Sequence, residues 1–270
     1  MTEHKIKLEI PDCISKPIEE GITPVTKSLG SSIGNTISVA WELAFGGLDA
    51  KLEKAKYKRQ KDVESFRKEL DSKINKIPLE NVTEAEMHIV GPTLEASKYY
   101  FEKEDLRNMF SSLIASSVDR SKSNLVHPSF VEIIKQLSSI DAQNIILLSK
   151  NFNNSTSFPI VNYQLKTTNG SVATTLKNIL INQIEGNIIN FDSANTCSTS
   201  LVNLERLGLI YIVYDAWPSD FNYNIFTDTN YFVDLQTEIR NSNTKYNSVD
   251  IQKGYVELTP LGINFVQVCL

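Results

Sequence analysis

The sequence predicts a mostly α-helical chain with an α+β part: an elongated N-terminal helical region followed by a C-terminal, winged-helix-like domain. Three observations predict it. Apolar residues recur at spacings of three and four from Leu29 to Ile77 with no proline between Pro24 and Pro78. A helix carrying Leu201, Leu204 and Leu207 is broken at Gly208 and passes directly into the strand-like run Leu209 to Val213. About forty residues later a second apolar run ends in Thr259-Pro260-Leu261-Gly262, a helix start. Helix, strand, long insertion and return strand is the chain order of a winged helix.

The divisions read from the sequence are a tail over 1–22, a helical region over 23–120 and the winged-helix-like domain over 121–270. The tail alternates charged and aliphatic residues and lacks the unbroken apolar core of a secretory signal, so a cytoplasmic location is expected. Residues 24–77 read as one long amphipathic helix or a hairpin with its kink at Gly46-Gly47. The segment 29–48 has the length of a bilayer span and a G-x-x-x-G spacing at Gly30 and Gly34. However, Ser31, Ser32, Asn35, Thr36, Ser38 and Glu42 make it too polar for a simple transmembrane helix. Thr83 to Glu86 fits a capping box, and Pro92 is placed to open a helix through Phe101. Leu106, Met109, Phe110, Leu113 and Ile114 predict a helix over 104–119, its first turn acidic as the helix dipole prefers.

Pro128 is expected to open a helix over 130–137, and Ser138 to Asp141 to cap another running to 149. Beyond Lys150 charge falls and Asn, Ser and Thr rise, so 151–157 reads as a loop. A strand is expected over 158–165, a helix over 172–184, the helix in the recognition position over 195–207, a strand over 209–214, a wing insertion over 221–233, a mobile polar segment over 241–250, a return strand over 255–258 and a closing helix over 260–270.

The charges argue against DNA as the partner of the winged unit. From Asp141 onward there are seven basic residues (Lys150, Lys166, Lys177, Arg206, Arg240, Lys245, Lys253). Eleven acids oppose them (Asp141, Glu185, Asp192, Glu205, Asp215, Asp220, Asp228, Asp234, Glu238, Asp250, Glu257). The recognition helix offers only Arg206, beside Glu205, where a DNA reader needs cations to neutralise phosphates. The basic region lies elsewhere: 51–76 holds ten Lys or Arg against five acids. Lys51, Lys54, Lys58 and Arg59 are therefore the candidates for contact with a polyanion or an anionic membrane surface. The competing reading is a solvated helix face laced by pairs such as Glu64 with Lys68 and Glu69 with Lys73.

No catalytic motif is present: there is no H-E-x-x-H, G-x-S-x-G, phosphate-binding loop or G-x-G-x-x-G, and no cofactor or metal is expected. Cys13, Cys197 and Cys269 are far apart and odd in number, which disfavours both a disulfide framework and a zinc site. His127 reads as a helix-boundary residue before Pro128.

Leu106-Arg107-Asn108-Met109-Phe110 with Leu113-Ile114-Ala115-Ser116, then the block from His127-Pro128-Ser129-Phe130 to Leu137 with Ile140-Asp141-Ala142, resembles the abortive infection alpha family. The resemblance continues through 204–210 and 258–262 and covers about 76–270. It implies a cytoplasmic bacterial protein with a role in phage-triggered abortive infection, and it brings no established active site. His127, Pro128, Phe130 and Asp141 are the family-motif positions to follow. The expected function is a non-enzymatic defence component acting through a protein partner or a second copy of itself. The alternatives are a nucleic-acid-binding winged-helix regulator and a membrane-surface effector, peripheral at the inner membrane, that uses the N-terminal amphipathic helix.

Overall fold

The computed structural model describes residues 31–45, 53–150, 157–181, 191–219 and 221–270, with side chains left aside at 31–35, 53–60 and 191–193. The tail over 1–22, the Gly46-Gly47 kink and the loop expected over 151–156 lie outside the described residues. The protein is mixed α/β, with ten helices and a four-stranded antiparallel sheet among these residues. It divides into two compact units, the first running through Val131 and the second over 132–268.

The first unit is helical: α1 (Ser31–Phe45), α2 (Glu53–Ile74), α3 (Met87–Ser97) and α4 (Glu104–Ser117). Its core follows from the three-and-four spacing. Phe66, Leu70 and Ile74 of α2 are buried, as are Leu106, Met109, Phe110 and Leu113 of α4, and α2 packs on α4. Helix α1 packs on α3 and buries Ile37, Ala40, Ala44 and Phe45. Phe66 joins the stripes, its ring 6.1 Å from Trp41 and 5.3 Å from Phe101. Ile37, Ala40, Ala44 and Phe45 are thus spent on packing within the protein while Val39 and Leu43 stay exposed, and no helix among the described residues is long and apolar enough to cross a membrane.

Two local expectations fail here. Helix α3 begins at Met87, with Glu86 as N-cap and no side-chain cap, and Pro92 lies inside it. Interior proline forfeits one backbone bond, a cost on the order of 3 kcal/mol, which burial of Ile89, Val90 and Leu94 offsets. The capping box is not formed; the Thr83 amide donates to the Val118 carbonyl at 2.9 Å, beside a bridge between Val82 and Asp119. Tertiary pairing has taken the residues that local capping would have used.

Helix α5 (Ser129–Lys135) leads to the second unit, which contains α6 (Ser139–Lys150), β1 (Ser157–Thr167), β2 (Val172–Ile179), α7 (Phe191–Arg206), β3 (Ile210–Val213), α8 (Asn224–Thr227), α9 (Asn230–Asn241), β4 (Tyr246–Leu258) and α10 (Pro260–Cys269). The sheet order is β2, β1, β4, β3. The helix expected over 172–184 is strand β2: alternating burial ends in Leu176, Asn178 and Ile179, and Val172 to Leu176 pair with β1. Asn169-Gly170, with Gly170 at φ +83°, turns the hairpin. The wing insertion over 221–233 holds α8 and the start of α9, and β4 begins at Tyr246, so the second half of the segment expected to be mobile is strand.

Helices α8 and α9 supply Phe226, Phe232 and Ile239 to a core shared with Val161, Tyr163, Leu176 and Val249. By strand alternation Ile160 faces the opposite side of the sheet from Val161, and Ile160, Leu201, Leu204 and Phe265 are all fully buried.

Candidate functional site

The family-motif residues act at helix starts. At α5, His127 Nδ1 accepts the backbone N–H of Ser129 at 3.2 Å and lies 2.6 Å from the Ser129 hydroxyl. Because a backbone amide can only donate, Nδ1 is the acceptor and the ring proton resides on Nε2. His127 is therefore the side-chain cap expected at a helix boundary. Its ring is exposed, as is Pro128, while Phe130 is fully buried and anchors the turn.

Asp141 does the same for α6 from inside the protein. It is 3% exposed, its Oδ2 accepts the Ser138 amide at 2.7 Å, and its own amide donates to the Ser138 hydroxyl at 3.2 Å. This is the reciprocal cap that Ser138 to Asp141 predicts. The same Oδ2 accepts Asn203 Nδ2 at 3.0 Å, and Asn203 Nδ2 also reaches the Gln136 carbonyl at 3.1 Å. Arg206 closes the arrangement: its guanidinium donates to Asn203 Oδ1 at 2.8 Å and to Gln136 Oε1 at 3.1 Å. One helical turn along, Asn144 Nδ2 donates to Ser200 Oγ at 2.9 Å. A polar seam thus runs between α6 and α7 and fixes how α7 sits on the second unit. Asp141 Oδ1 is buried without a hydrogen-bond partner among the described residues.

The seam leaves α7 a solvent face of Asn195, Thr196, Thr199, Val202, Glu205 and Arg206, with Val202 51% exposed. Its one cation, Arg206, is already committed to Asn203 and Gln136.

Cys197, at the end of the seam, has its thiol pKa pushed up by burial, which suppresses the thiolate that nucleophilic chemistry requires. Burial likewise pushes up the Cys269 thiol. His88 Nδ1 lies 3.3 Å from Glu86 on an exposed helix start. Among the described residues no group of three His, Cys, Asp or Glu is placed to hold a metal ion.

In the basic region, Lys51 lies outside the described residues, and Lys54, Lys58 and Arg59 fall on the first turns of α2, where side chains are not described. The pair Glu64 with Lys68 is present at 2.7 Å. The pair Glu69 with Lys73 is absent. Glu69 Oε1 instead accepts Arg107 at 2.5 and 2.9 Å, while Lys73 Nζ donates to Ser112 Oγ at 2.6 Å. Arg107 wins because its planar fork meets the carboxylate with two donors while a third reaches the Phe101 carbonyl.

Sequence reasoning missed a second polar network, in the sheet. Asn178, at φ +52°, donates its amide to Asn162 Oδ1 at 2.9 Å and accepts the Tyr214 hydroxyl at 2.8 Å. Gln252 Oε1 accepts both Asn162 at 2.9 Å and Gln164 at 3.2 Å. The irregular β1–β2 register around Val161 to Gln164 explains it: asparagine tolerates the left-handed backbone there. The Asn169-Gly170 hairpin was the sequence signal that would have placed β2 and so revealed it.

A family model described as abortive infection alpha matches residues 58–269. No curated protein and no solved structure matches the chain.

Proposed function

The chain belongs to the abortive infection alpha family, and from that premise we propose that it is a non-enzymatic phage-defence component that acts by protein contact through α7. The observation that carries this reading is the solvent face of α7: short polar side chains around Val202, one acid, Glu205, and a single cation already hydrogen-bonded within the protein. A face of that composition has little with which to neutralise phosphates, and its exposed valine gains from desolvation against another protein.

We read the second unit as winged-helix-like. The sheet order β1, β4, β3, with α7 leading into β3, supports this. Strand β2 adds an outer edge, and α8 with α9 takes the place of a simple wing. On this reading α7 occupies the recognition position but offers it to a protein.

The test is restriction of phage growth in cells expressing the intact chain, Val202→Glu or Val202→Lys. Position 202 is exposed, so both variants keep the fold. Protein contact predicts that both lose restriction, because either charge would have to be desolvated in the interface. A nucleic-acid reader predicts a split: Glu loses restriction and Lys retains or strengthens it. Unaltered restriction by both variants would overturn the assignment of α7 as the contact face.

A further inference from the structure

At the C-terminal end of α2 three lysines lie near one another, and among the described residues none of them is paired with a carboxylate. Lys73 and Lys76 stand one turn apart, Lys73 on the last turn of α2 and Lys76 just past its end. Lys122 is brought to the same end of the unit by backbone pairing: the Arg120 amide donates to the Asn81 carbonyl at 2.7 Å and the Thr83 amide to Val118 at 2.9 Å, so 118–120 runs beside 81–83. The Lys122 amide then closes a turn onto the Asp119 carbonyl at 2.9 Å. Among the described residues no carboxylate lies within 4.0 Å of any of the three ammonium groups. Glu69, the nearest acid along the helix, is held by Arg107. Asp119 spends Oδ1 on the amide and hydroxyl of Ser121.

Lys73 is the fixed member of the group. It is half-buried, and its ammonium donates to Ser112 Oγ at 2.6 Å and toward the Asn108 carbonyl at 3.4 Å. An ammonium has three protons, so one donor remains for a ligand. Burial pulls the Lys73 pKa down; Glu69 and the buried Cys269 oppose this, while Lys76 and Lys122 add to the fall. These lysines therefore feel one another, and an anion among them would relieve both the repulsion and the desolvation.

We infer that Lys73, Lys76 and Lys122 form a binding site for a phosphoryl group, with Ser112 holding the central ammonium in place. A phosphoryl group suits the arrangement because it carries up to two negative charges and three acceptor oxygens, one for each ammonium. The site belongs to the first unit and α7 to the second, so the protein-contact reading can fail without it.

The test is calorimetric titration of the full chain with inorganic pyrophosphate at low salt, for the natural sequence and for Lys76→Gln, Lys122→Gln and the control Lys135→Gln. Lys76 and Lys122 are exposed, so their variants keep the fold. Saturable binding is expected, weakened about fivefold by each of the two site variants and unchanged by the control, as removal of one partly screened charge from the site should do. A parallel sedimentation with phosphatidylcholine vesicles carrying phosphatidic acid identifies the source of the phosphoryl group. Vesicle binding that disappears in the same two variants supports a lipid headgroup, and pyrophosphate binding without vesicle binding supports a soluble phosphorylated ligand. Absence of saturable pyrophosphate binding, or equal affinity in all four proteins, overturns the site.

Discussion

Replacing Gly262 with alanine should unfold the second unit at much lower urea concentration, and the structure supplies the magnitude. A Cβ at 262 would lie 1.9 Å from the Leu209 carbonyl oxygen and 2.9 Å from its carbon, both backbone atoms. That oxygen cannot move aside, because it accepts the Thr259 amide at 3.0 Å. Thr259 also donates its hydroxyl to Gly208 O at 2.5 Å and caps α10 by accepting the Gly262 amide at 2.8 Å. The first turn of α10 would have to retreat by more than 1 Å, judged against an ordinary contact of about 3.2 Å. The retreat would give up two hydrogen bonds of about 1 kcal/mol each, with a packing penalty of about 1–3 kcal/mol.

The expected loss is about 3–5 kcal/mol, a large share of a domain stability of about 5–15 kcal/mol. At a urea slope of about 2 kcal/mol per molar, the midpoint falls by on the order of 2 M. Trp217 reports on this unit, so its emission is followed in a Trp41→Phe background common to every protein compared. Gly208→Ala is the internal comparison. There φ is +74° and the nearest atom, in the Leu261 side chain, is 3.7 Å from the added carbon. Its cost is conformational alone, about 1–2 kcal/mol. If Gly262→Ala costs no more than Gly208→Ala, the steric argument for α10 is wrong.

Asp141→Ala and Asn203→Ala should each destabilise the second unit by about 2 kcal/mol, and a double-mutant cycle by urea unfolding should show coupling of about 1 kcal/mol; strict additivity would mean that their 3.0 Å contact contributes nothing. Burial pushes the Tyr163 and Tyr223 hydroxyls up to about 12. Their folded pKa values exceed the unfolded 10.0, so above that pH the unfolded chain releases protons first and stability falls as pH rises between 10 and 12. Tyrosinate absorbance should therefore rise together with loss of near-ultraviolet circular dichroism, and titration of all ten tyrosines near pH 10 with the fold intact would contradict the burial.

The sequence was most legible where one local signal decided the outcome. Leu106 to Ile114 had helical spacing and an acidic first turn, and α4 starts at Glu104 as expected. Ser138 and Asp141 had capping spacing, and both reciprocal bonds formed. It was least legible where two local signals competed or the partner was distant. Val172-Ala173-Thr174-Thr175-Leu176 carries helical apolar spacing along with β-branched residues, and pairing with β1 settled it as strand. Pro92 read as a helix start because the burial of Ile89 and Val90 before it depends on packing that no short window contains. The capping bonds at α6 could be anticipated, but the reach of Asn203 and Arg206 back to Asp141 and Gln136 could not, since it spans more than sixty residues.

That division bears on where activity is to be sought. The motif residues that carry the family resemblance cap α5, cap α6 and lock α7, so their geometry accounts for them as structure: the Asp141 carboxylate is buried and His127 Nδ1 is engaged by Ser129. Changing them should disturb function mainly by loosening the unit that each one holds, the first for His127 and the second for Asp141. Activity that survives stabilising conditions but is lost on changing Val202, Lys76 or Lys122 has a different physical origin, because those side chains are exposed and support no described core. Phage restriction measured alongside urea midpoints separates the two. Motif variants should lie on one line relating restriction to stability, and the surface variants should fall below it at full stability. A motif variant such as His127→Ala that keeps its midpoint yet loses restriction would place His127 among the contacts instead of the caps.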